Sequence, residues 1–596
     1  MFRPLEKVLH VDLTEKTISI ENRPELFTKY IGGAGVASKL LMEQCPPNIN
    51  PFSSNAPLIF ATGPFVGIFP NMTKAVAMFK SPLTGNLGES YAGENFSTAL
   101  RSADYGAIII KGSSDHPVTL TVQQEDTRIE SALSLWNRSP SEVEGMIKQN
   151  LGKAAKSVIS IGLAGENCVK YASAIVDRYS HFGRLGLGAI MGSKKLKAIC
   201  VSGSDRKPIR PDPKFEGILK EINRLIDEAD TLKKYKDLGT AANVLPLNAL
   251  GALPSKNFSR STFERADDVS GENFARAVLE SKVTCPNCSV ACIHLGNLNP
   301  VNASQHEQNP DTPSKKRGLV PYNYQPIFAL GTNLEVSEPE KVLRLIGCCE
   351  RLGMDAIMTG AVLAWATEAY EKGLIDTDET MGLRPEWGDV DTYLEMMENI
   401  ANLRTECYTA LAHGVDAAAD RYGGRDFAVS LGKNSPAGYF TGYGHVVGTL
   451  VGARHSHLSN AGYSIDQVAL FSNVSPEELV ESLVKEEDWL NVLNSLVACY
   501  FSRHVYTKEI VVKALAVAGV ECTVSDLMRL GREISCNLYN YKLREGFDLT
   551  TEKIPKRLLE LEGPTGRLNP EIIQRMISYY IKIREHAESE LCTIRS

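Results

Sequence analysis

Three thiols within eight residues, Cys285-Pro-Asn-Cys288-Ser-Val-Ala-Cys292, have the spacing Cys-x2-Cys-x3-Cys. Such a triplet can wrap one side of a cubane [4Fe-4S] cluster, with a fourth thiolate arriving from elsewhere in the chain. Zinc also accepts four thiolates, although its structural sites usually pair two Cys-x2-Cys knuckles. A chance grouping is the third reading. A second feature is the density of glycine turns early in the chain: Gly32-Gly-Ala-Gly35, Ala164-Gly-Glu-Asn167 and Gly183-Arg-Leu-Gly-Leu-Gly188. Backbone N–H groups in such turns can approach an anionic ligand, and Arg184 adds a planar fork that suits phosphate. Each turn alone reads equally well as punctuation between strands. The Gly183–Gly188 segment lacks the Gly-x-Gly-x-x-Gly order, which argues against an NAD-binding Rossmann domain. A third feature is Arg454-His-Ser-His-Leu458, whose imidazoles titrate near neutral pH. In extended chain His455 and His457 point to opposite sides, so only one of them should face a common site.

The elements that must position these groups change character along the chain. Short apolar runs bounded by glycine or proline, such as Leu58-Ile-Phe-Ala and Ala107-Ile-Ile-Ile, mark a β-rich region closing near Ser204. Beyond Pro211 the apolar spacing becomes that of helix faces, first over 215–232 and later over 339–352, 360–374, 393–403, 476–499 and 570–588. The polar segment 297–317 has no periodicity and reads as a surface loop. The expected class is α+β: a β-rich base domain over 1–207, a helical domain over 208–425 carrying the cysteine triplet, and a second helical domain over 426–596.

Composition sets the outer limits. The 596 residues carry 64 Lys plus Arg against 71 Asp plus Glu, a net charge of −7, which argues against a general nucleic-acid binder or a polybasic membrane module. No apolar run reaches the length of a membrane span, the start has no signal-like core, and the thirteen cysteines are mostly scattered, so a cytoplasmic location and no disulfide framework are expected.

Further segments fall in a fixed order: Tyr30-Ile-Gly-Gly-Ala-Gly35, Lys80-Ser-Pro-Leu-Thr-Gly85, Asp104-Tyr-Gly-Ala-Ile, Ile161-Gly-Leu-Ala-Gly-Glu-Asn167, Met191-Gly-Ser-Lys-Lys-Leu-Lys-Ala-Ile199, the cysteine triplet, Ala329-Leu-Gly-Thr-Asn333 and Leu543-Arg-Glu-Gly-Phe547. Together and over nearly the whole chain they resemble the aldehyde:ferredoxin oxidoreductase family of tungsten-pterin enzymes. The resemblance implies a base of two β-sheets and two helical domains closing over a tungsten held by two pterins, with molybdenum as the alternative metal. It implies one [4Fe-4S] cluster whose fourth ligand is Cys499, and magnesium bridging the pterin phosphates. It carries over Asp355 and Asn494 as pterin contacts, Arg184 as a cofactor-binding residue, Lys74 in place of an arginine between pterin and cluster, and Tyr91, Ala92, Gly93 and Glu94 as the phosphate and magnesium loop. Asn494 and Glu350 depart from the acidic residues usual at their positions.

The likeness is thinnest where catalysis is expected. Asn323 and Gln325 stand at positions that usually carry carboxylates, and neither amide can act as a general base. His457, or His455 beside it, is the remaining proton carrier, with Tyr324 and Tyr322 as weaker donors. By resemblance the activity is oxidation of an aldehyde, a small-molecule substrate, with electrons leaving through the cluster to ferredoxin or an iron-sulfur subunit. The alternatives are a low-potential reductase of an acid or an aromatic acyl-CoA, and a non-catalytic metal-binding relative. Arg344-Leu-Ile-Gly347 replaces the Glu-x-x-His segment through which some family dimers share an iron, so a homodimer here would lack that iron. Cys348 and Cys349 read as core residues.

Overall fold

Leu58-Ile-Phe-Ala and its neighbours are continuous apolar runs because they form central strands covered on both faces. The computed structural model describes residues 4–124, 126–202, 213–298 and 318–595. The first sheet contains β1 (Lys7–Asp12), β2 (Thr17–Asn22), β3 (Leu58–Ala61), β4 (Ala75–Lys80), β5 (Leu87–Ala92) and β6 (Ala107–Lys111), in the order β2-β1-β6-β3-β4-β5. Only β1 and β6 are parallel in it. Every residue of β3 and β4 is buried, and alternation divides them between two cores. Leu58, Phe60, Ala77 and Phe79 meet the second sheet, whereas Ile59, Ala61, Val76 and Met78 pack on helices Gly33–Gln44 and Val524–Arg544.

The second sheet contains β7 (Val118–Val122), β8 (Arg128–Ser131), β9 (Ala155–Ser160), β10 (Ala174–Val176), β11 (Ser180–Phe182) and β12 (Leu196–Ser202), in the order β11-β10-β9-β12-β7-β8. Beyond it the chain is largely helical, and the α+β class expected from the sequence is the one observed. The boundary expected near residue 207 and most of the loop expected over 297–317 lie outside the described residues. One continuous core joins helices on both sides of residue 425: Trp365, Tyr393 and Tyr408 share it with Val447, Leu450 and Ile577.

A small third sheet, β13 (Leu279–Val283), β14 (Ile293–Asn297) and β15 (Leu319–Tyr322), was not anticipated. Its pairing of β13 with β14 makes the cysteine triplet the tip of a hairpin. Helix boundaries also shift. The helix expected over 360–374 runs Ala356–Glu371, because the Asp355 carboxylate caps it by accepting from Ile357 N at 2.9 Å. The helix expected over 476–499 ends at Ser495, and Val497 adopts a left-handed φ of 53° that turns the chain.

Most of the glycine turns serve packing. A Cβ on Gly33 would lie 2.2 Å from the Asn494 carbonyl oxygen, one on Gly188 would lie 2.3 Å from that of Ser173, and one on Gly192 would lie 1.8 Å from that of Gly165. These glycines let backbones touch, and they do not leave their N–H groups lining an anion site.

Candidate functional site

The cysteine triplet and Cys499 meet around the segment 71–74 that leads into β4. Asn71 N donates to Asn287 O at 3.0 Å, inside the triplet, and Asn71 O accepts from Cys499 N at 2.8 Å. Lys74 N donates to Val497 O at 3.1 Å, and Met72 bridges Ala498. This stretch, turned at Asn71 by a left-handed φ of 61°, thus joins the hairpin tip to the turn after helix Pro476–Ser495. Cys285 and Cys499 are buried, while Cys288 and Cys292 are half-buried. Glu94 N points at Cys285 Sγ from 3.5 Å, Val290 N donates to Cys288 Sγ at 3.4 Å, and backbone N–H groups of Phe501 and Ser502 face Cys499.

Burial is the first influence on the charge states at this spot. Burial, then Cys499, pushes the Cys288 thiol up to about 11, and the same two causes raise Cys292. Lys74 extends into the group. Burial opposes its charge, but Cys285, Cys499, Cys292 and Cys288 outweigh that and raise its pKa, so the ammonium is retained. A Cβ on Gly93 would lie 2.7 Å from Cys285 Sγ and 2.9 Å from Lys74 Nζ, so a methyl group there would displace one or both of them. Among the described residues no three His, Cys, Asp or Glu side chains converge tightly enough for a single metal ion.

Residues of three regions meet at Arg184. Its Nε donates to Asp355 Oδ2 at 3.0 Å and its Nη2 donates to Asn434 Oδ1 at 2.7 Å and Ser435 O at 2.9 Å, while Nη1 is buried without a partner. Asp355 thus has two tasks, capping a helix and holding this guanidinium. Tyr91 closes β5 with its hydroxyl 2.5 Å from Glu89 and its ring under Arg454, 4.7 Å from the guanidinium carbon. Ala92 is a core residue, Gly93 N donates to Ser180 Oγ at 2.7 Å, and Glu94 has a left-handed φ of 64°. Glu94 Oε1 is buried and unpartnered; burial, then the charge of Asp177, lifts its pKa to about 7. Asn494 is half-buried on the last turn of its helix, where its backbone carbonyl meets Gly33. His181 and Glu350 form an ion pair at 2.6 Å beside this region.

The two histidines diverge, although the segment is a turn rather than extended chain, with a left-handed φ of 46° at His455. The His455 ring packs edge-on to Phe547 at 5.2 Å and fills the space opposite Gly432. The His457 ring instead meets Tyr439 at 5.3 Å and Tyr463 at 5.7 Å, and its Nδ1 is buried without a partner. Burial, followed by His445, Arg184 and Arg454, holds His457 well below its ordinary pKa, so its imidazole is neutral. The Tyr324 hydroxyl donates to Gly438 O, and its ring lies 4.9 Å from Tyr439. Asn323 caps helix Tyr324–Leu330 from an exposed position, and Gln325 Oε1 accepts from Gly438 N at 3.2 Å. The Tyr322 hydroxyl has no partner. Arg344 pairs with Asp391 at 2.7 Å, and Cys348 and Cys349 are core residues.

Sequence reading missed Tyr439, Tyr463, His445 and Arg454 as neighbours of the site. Arg454 could have been found, since it adjoins the histidine pair. The others carry no local signal, because only folding stacks Tyr439 on Tyr463 at 4.4 Å.

Residues 8–203 match the family described as aldehyde ferredoxin oxidoreductase, N-terminal domain, and residues 217–590 match its domains 2 and 3. A tungsten-containing aldehyde ferredoxin oxidoreductase of Thermococcus kodakarensis is 31% identical over 98% of this chain and 96% of its own length. That of Pyrococcus furiosus is 30% identical over the same shares, and an aliphatic sulfonate oxidoreductase, WOR-like subunit, of the same organism is 28% identical over 66% of this chain and 64% of its own. Among solved structures, the active-site complex BamBC of benzoyl coenzyme A reductase, in complex with 1,5-dienoyl-CoA, superposes with a TM-score of 0.81 over 98% of this chain and 94% of that one, at 21% identity. The fold is therefore shared with that complex, and the two matched regions together with the Thermococcus relative establish that this chain belongs to the aldehyde ferredoxin oxidoreductase family.

Proposed function

We propose that the protein is a tungsten-dependent oxidoreductase that converts an aldehyde and water to a carboxylic acid, releasing two electrons and two protons. The electrons leave through a [4Fe-4S] cluster on Cys285, Cys288, Cys292 and Cys499 to ferredoxin or an iron-sulfur subunit. The carrying observation is the 71–74 segment, which joins the triplet and Cys499 through backbone bonds and sets Lys74 among the four sulfurs. The Cys-x2-Cys-x3-Cys spacing, with Cys499 joined to the triplet through Asn71, supports a cluster over zinc, and with it a redox enzyme over a non-catalytic relative.

The residues present fit a bispterin. Arg184 Nη1 and Thr73 Oγ1 are buried without partners, and Arg184 and Arg454 add two cations at His457. Arg184, oriented by Asp355, would hold the pterin with Lys74, Tyr91 to Glu94 and Asn494, with magnesium at the phosphates. Tungsten, or molybdenum in its place, would supply two-electron chemistry when bound. His457 would take the proton released at the substrate on its free Nδ1, a role its neutral state permits. Tyr324, whose hydroxyl is engaged by Gly438, would shape the wall.

A second reading is favoured by one observation: Asn323 and Gln325 provide no base and are themselves engaged as a helix cap and a backbone acceptor. The protein would then reduce an acid or an aromatic acyl-CoA. The likeness to a benzoyl coenzyme A reductase complex supports the same reading, and supports a partner subunit. The test is metal analysis and aldehyde oxidation by anaerobically purified protein. About one tungsten and about four iron per chain, with dye-linked aldehyde oxidation, are expected. Zinc without tungsten or molybdenum would overturn the proposal, and full metal content with acyl-CoA reduction alone would select the second reading.

A further inference from the structure

Beyond His457, aromatic side chains continue outward from the site to a single arginine. Tyr439 stacks on Tyr463, the Tyr463 hydroxyl lies 3.4 Å from that of Tyr500, and Tyr235 packs against Phe501 at 4.7 Å. Tyr439 is buried, whereas Tyr235, Tyr463, Tyr500 and Phe501 are half-buried, so the rings form a wall that passes from the interior to the surface. Arg503 stands at its outer end, with its guanidinium carbon 4.4 Å over the Tyr500 ring. Its side chain is 12% exposed, and the carboxylate paired with it is that of Glu486. Glu486 reaches only within 3.9 Å of Nε, outside hydrogen-bond range, Nε has no partner, and Nη1 makes one long bond of 3.5 Å to Tyr500 O. The titratable groups facing it are the phenols of Tyr500, Tyr463 and Tyr235, the carboxylate of Glu486 and the imidazole of His504.

A guanidinium stacked on one face and bonded along one edge keeps its remaining donors for a planar anion. The tyrosine wall offers ring faces and edges for an aromatic body, with hydroxyls at the rim. We infer that Arg503 is a specificity-determining residue that receives an anionic group at the far end of a planar aromatic substrate whose reacting end lies at His457. This rests on the proposed function only for where the reacting end lies. The anion is either a carboxylate on the substrate ring or a phosphate of a thioester carrier.

The test measures equilibrium binding to the anaerobic holoenzyme by calorimetry, without turnover. The probes are benzamide, 4-carbamoylbenzoate and benzoyl-CoA, each with wild type, R503M and R503K. In wild type 4-carbamoylbenzoate or the thioester binds about tenfold or more tightly than benzamide, the difference a charge-assisted bond supplies. R503M abolishes that preference and leaves binding of the neutral benzamide unchanged, while R503K keeps part of it. The probe that shows the preference identifies the source of the anion. Equal binding of all three probes to wild type, or equal weakening of all three in R503M, overturns the inference. Should R503M fail to fold, R503K decides: a preference identical to wild type overturns the inference, because lysine cannot reproduce the fork. A protein that discriminates among these probes but oxidises no aldehyde loses only the proposed function.

Discussion

At the scale of single residues, the site depends on which atoms are left without partners and which contacts leave no room. His457 presents an unpartnered Nδ1 among tyrosines and arginines, while His455 fills a packed corner. H457Q is expected to lower kcat by about a hundredfold with little change in melting temperature, the usual scale for losing a positioned proton carrier. H455Q should instead lower the melting temperature. Steady-state kinetics and thermal denaturation on the two variants separate these outcomes, and equal kinetic losses would contradict the assignment. Gly93 is constrained by sulfur rather than by its own backbone angle. A methyl group there meets Cys285 Sγ and Lys74 Nζ, so G93A should lose most of its iron while keeping its secondary structure, as iron analysis and circular dichroism would show.

At the scale of elements, two helices carry more than their own hydrogen bonds. The Asp355 carboxylate caps helix Ala356–Glu371 and also holds Arg184, which reaches Asn434 and Ser435. D355A leaves a guanidinium short of its counter-ion in a largely buried setting, and should cost about 3 to 5 kcal/mol in urea denaturation. D355N should recover the cap but not the ion pair. Helix Val524–Arg544 carries Lys542, whose Nζ donates to Gly452 O at 3.1 Å and lies 4.1 Å from the Phe547 ring centre. Burial lowers the pKa of this ammonium to about 7, against 10.5 for an ordinary lysine. Between those values the unfolded chain binds a proton that the folded chain does not, so this lysine makes stability rise with pH over that window. K542M should lack that rise when melting temperatures are compared at pH 7 and pH 9. An identical slope in the two proteins would sink this account.

At the scale of the whole molecule, the first sheet, the triplet hairpin and the helical part close around segment 71–74. Its backbone partners, Asn287, Val497 and Cys499, lie more than 200 residues away from it in sequence. Removing iron anaerobically with a chelator should therefore loosen three distant segments together. Hydrogen exchange should speed up in 71–74, 285–292 and 497–502 as one unit, with a lower melting temperature. Exchange confined to the hairpin would mean that the segments are joined without the cluster. The Lys80–Glu545 ion pair, buried between the first sheet and the turn after helix Val524–Arg544, ties the same bodies independently of metal.

The sequence by itself determined the β-rich start, the later helical periodicity and the cysteine spacing, because each is written in neighbours a few residues apart. Apolar runs such as Leu58-Ile-Phe-Ala suit a strand covered on both faces, and three thiols within eight residues point to a metal–sulfur site whose fourth ligand lies elsewhere in the chain. Tertiary structure decided the rest. It gave the Gly32–Gly35 turn to the carbonyls of Asn494 and Ser495, and it turned His457 rather than His455 towards Tyr439. It also made Arg503 the end of an aromatic wall contributed by residues from Tyr235 to Phe501. The physical reason is the same in each case: a packing contact or an unpaired donor is a property of two surfaces meeting, and the partner surface is encoded hundreds of residues away.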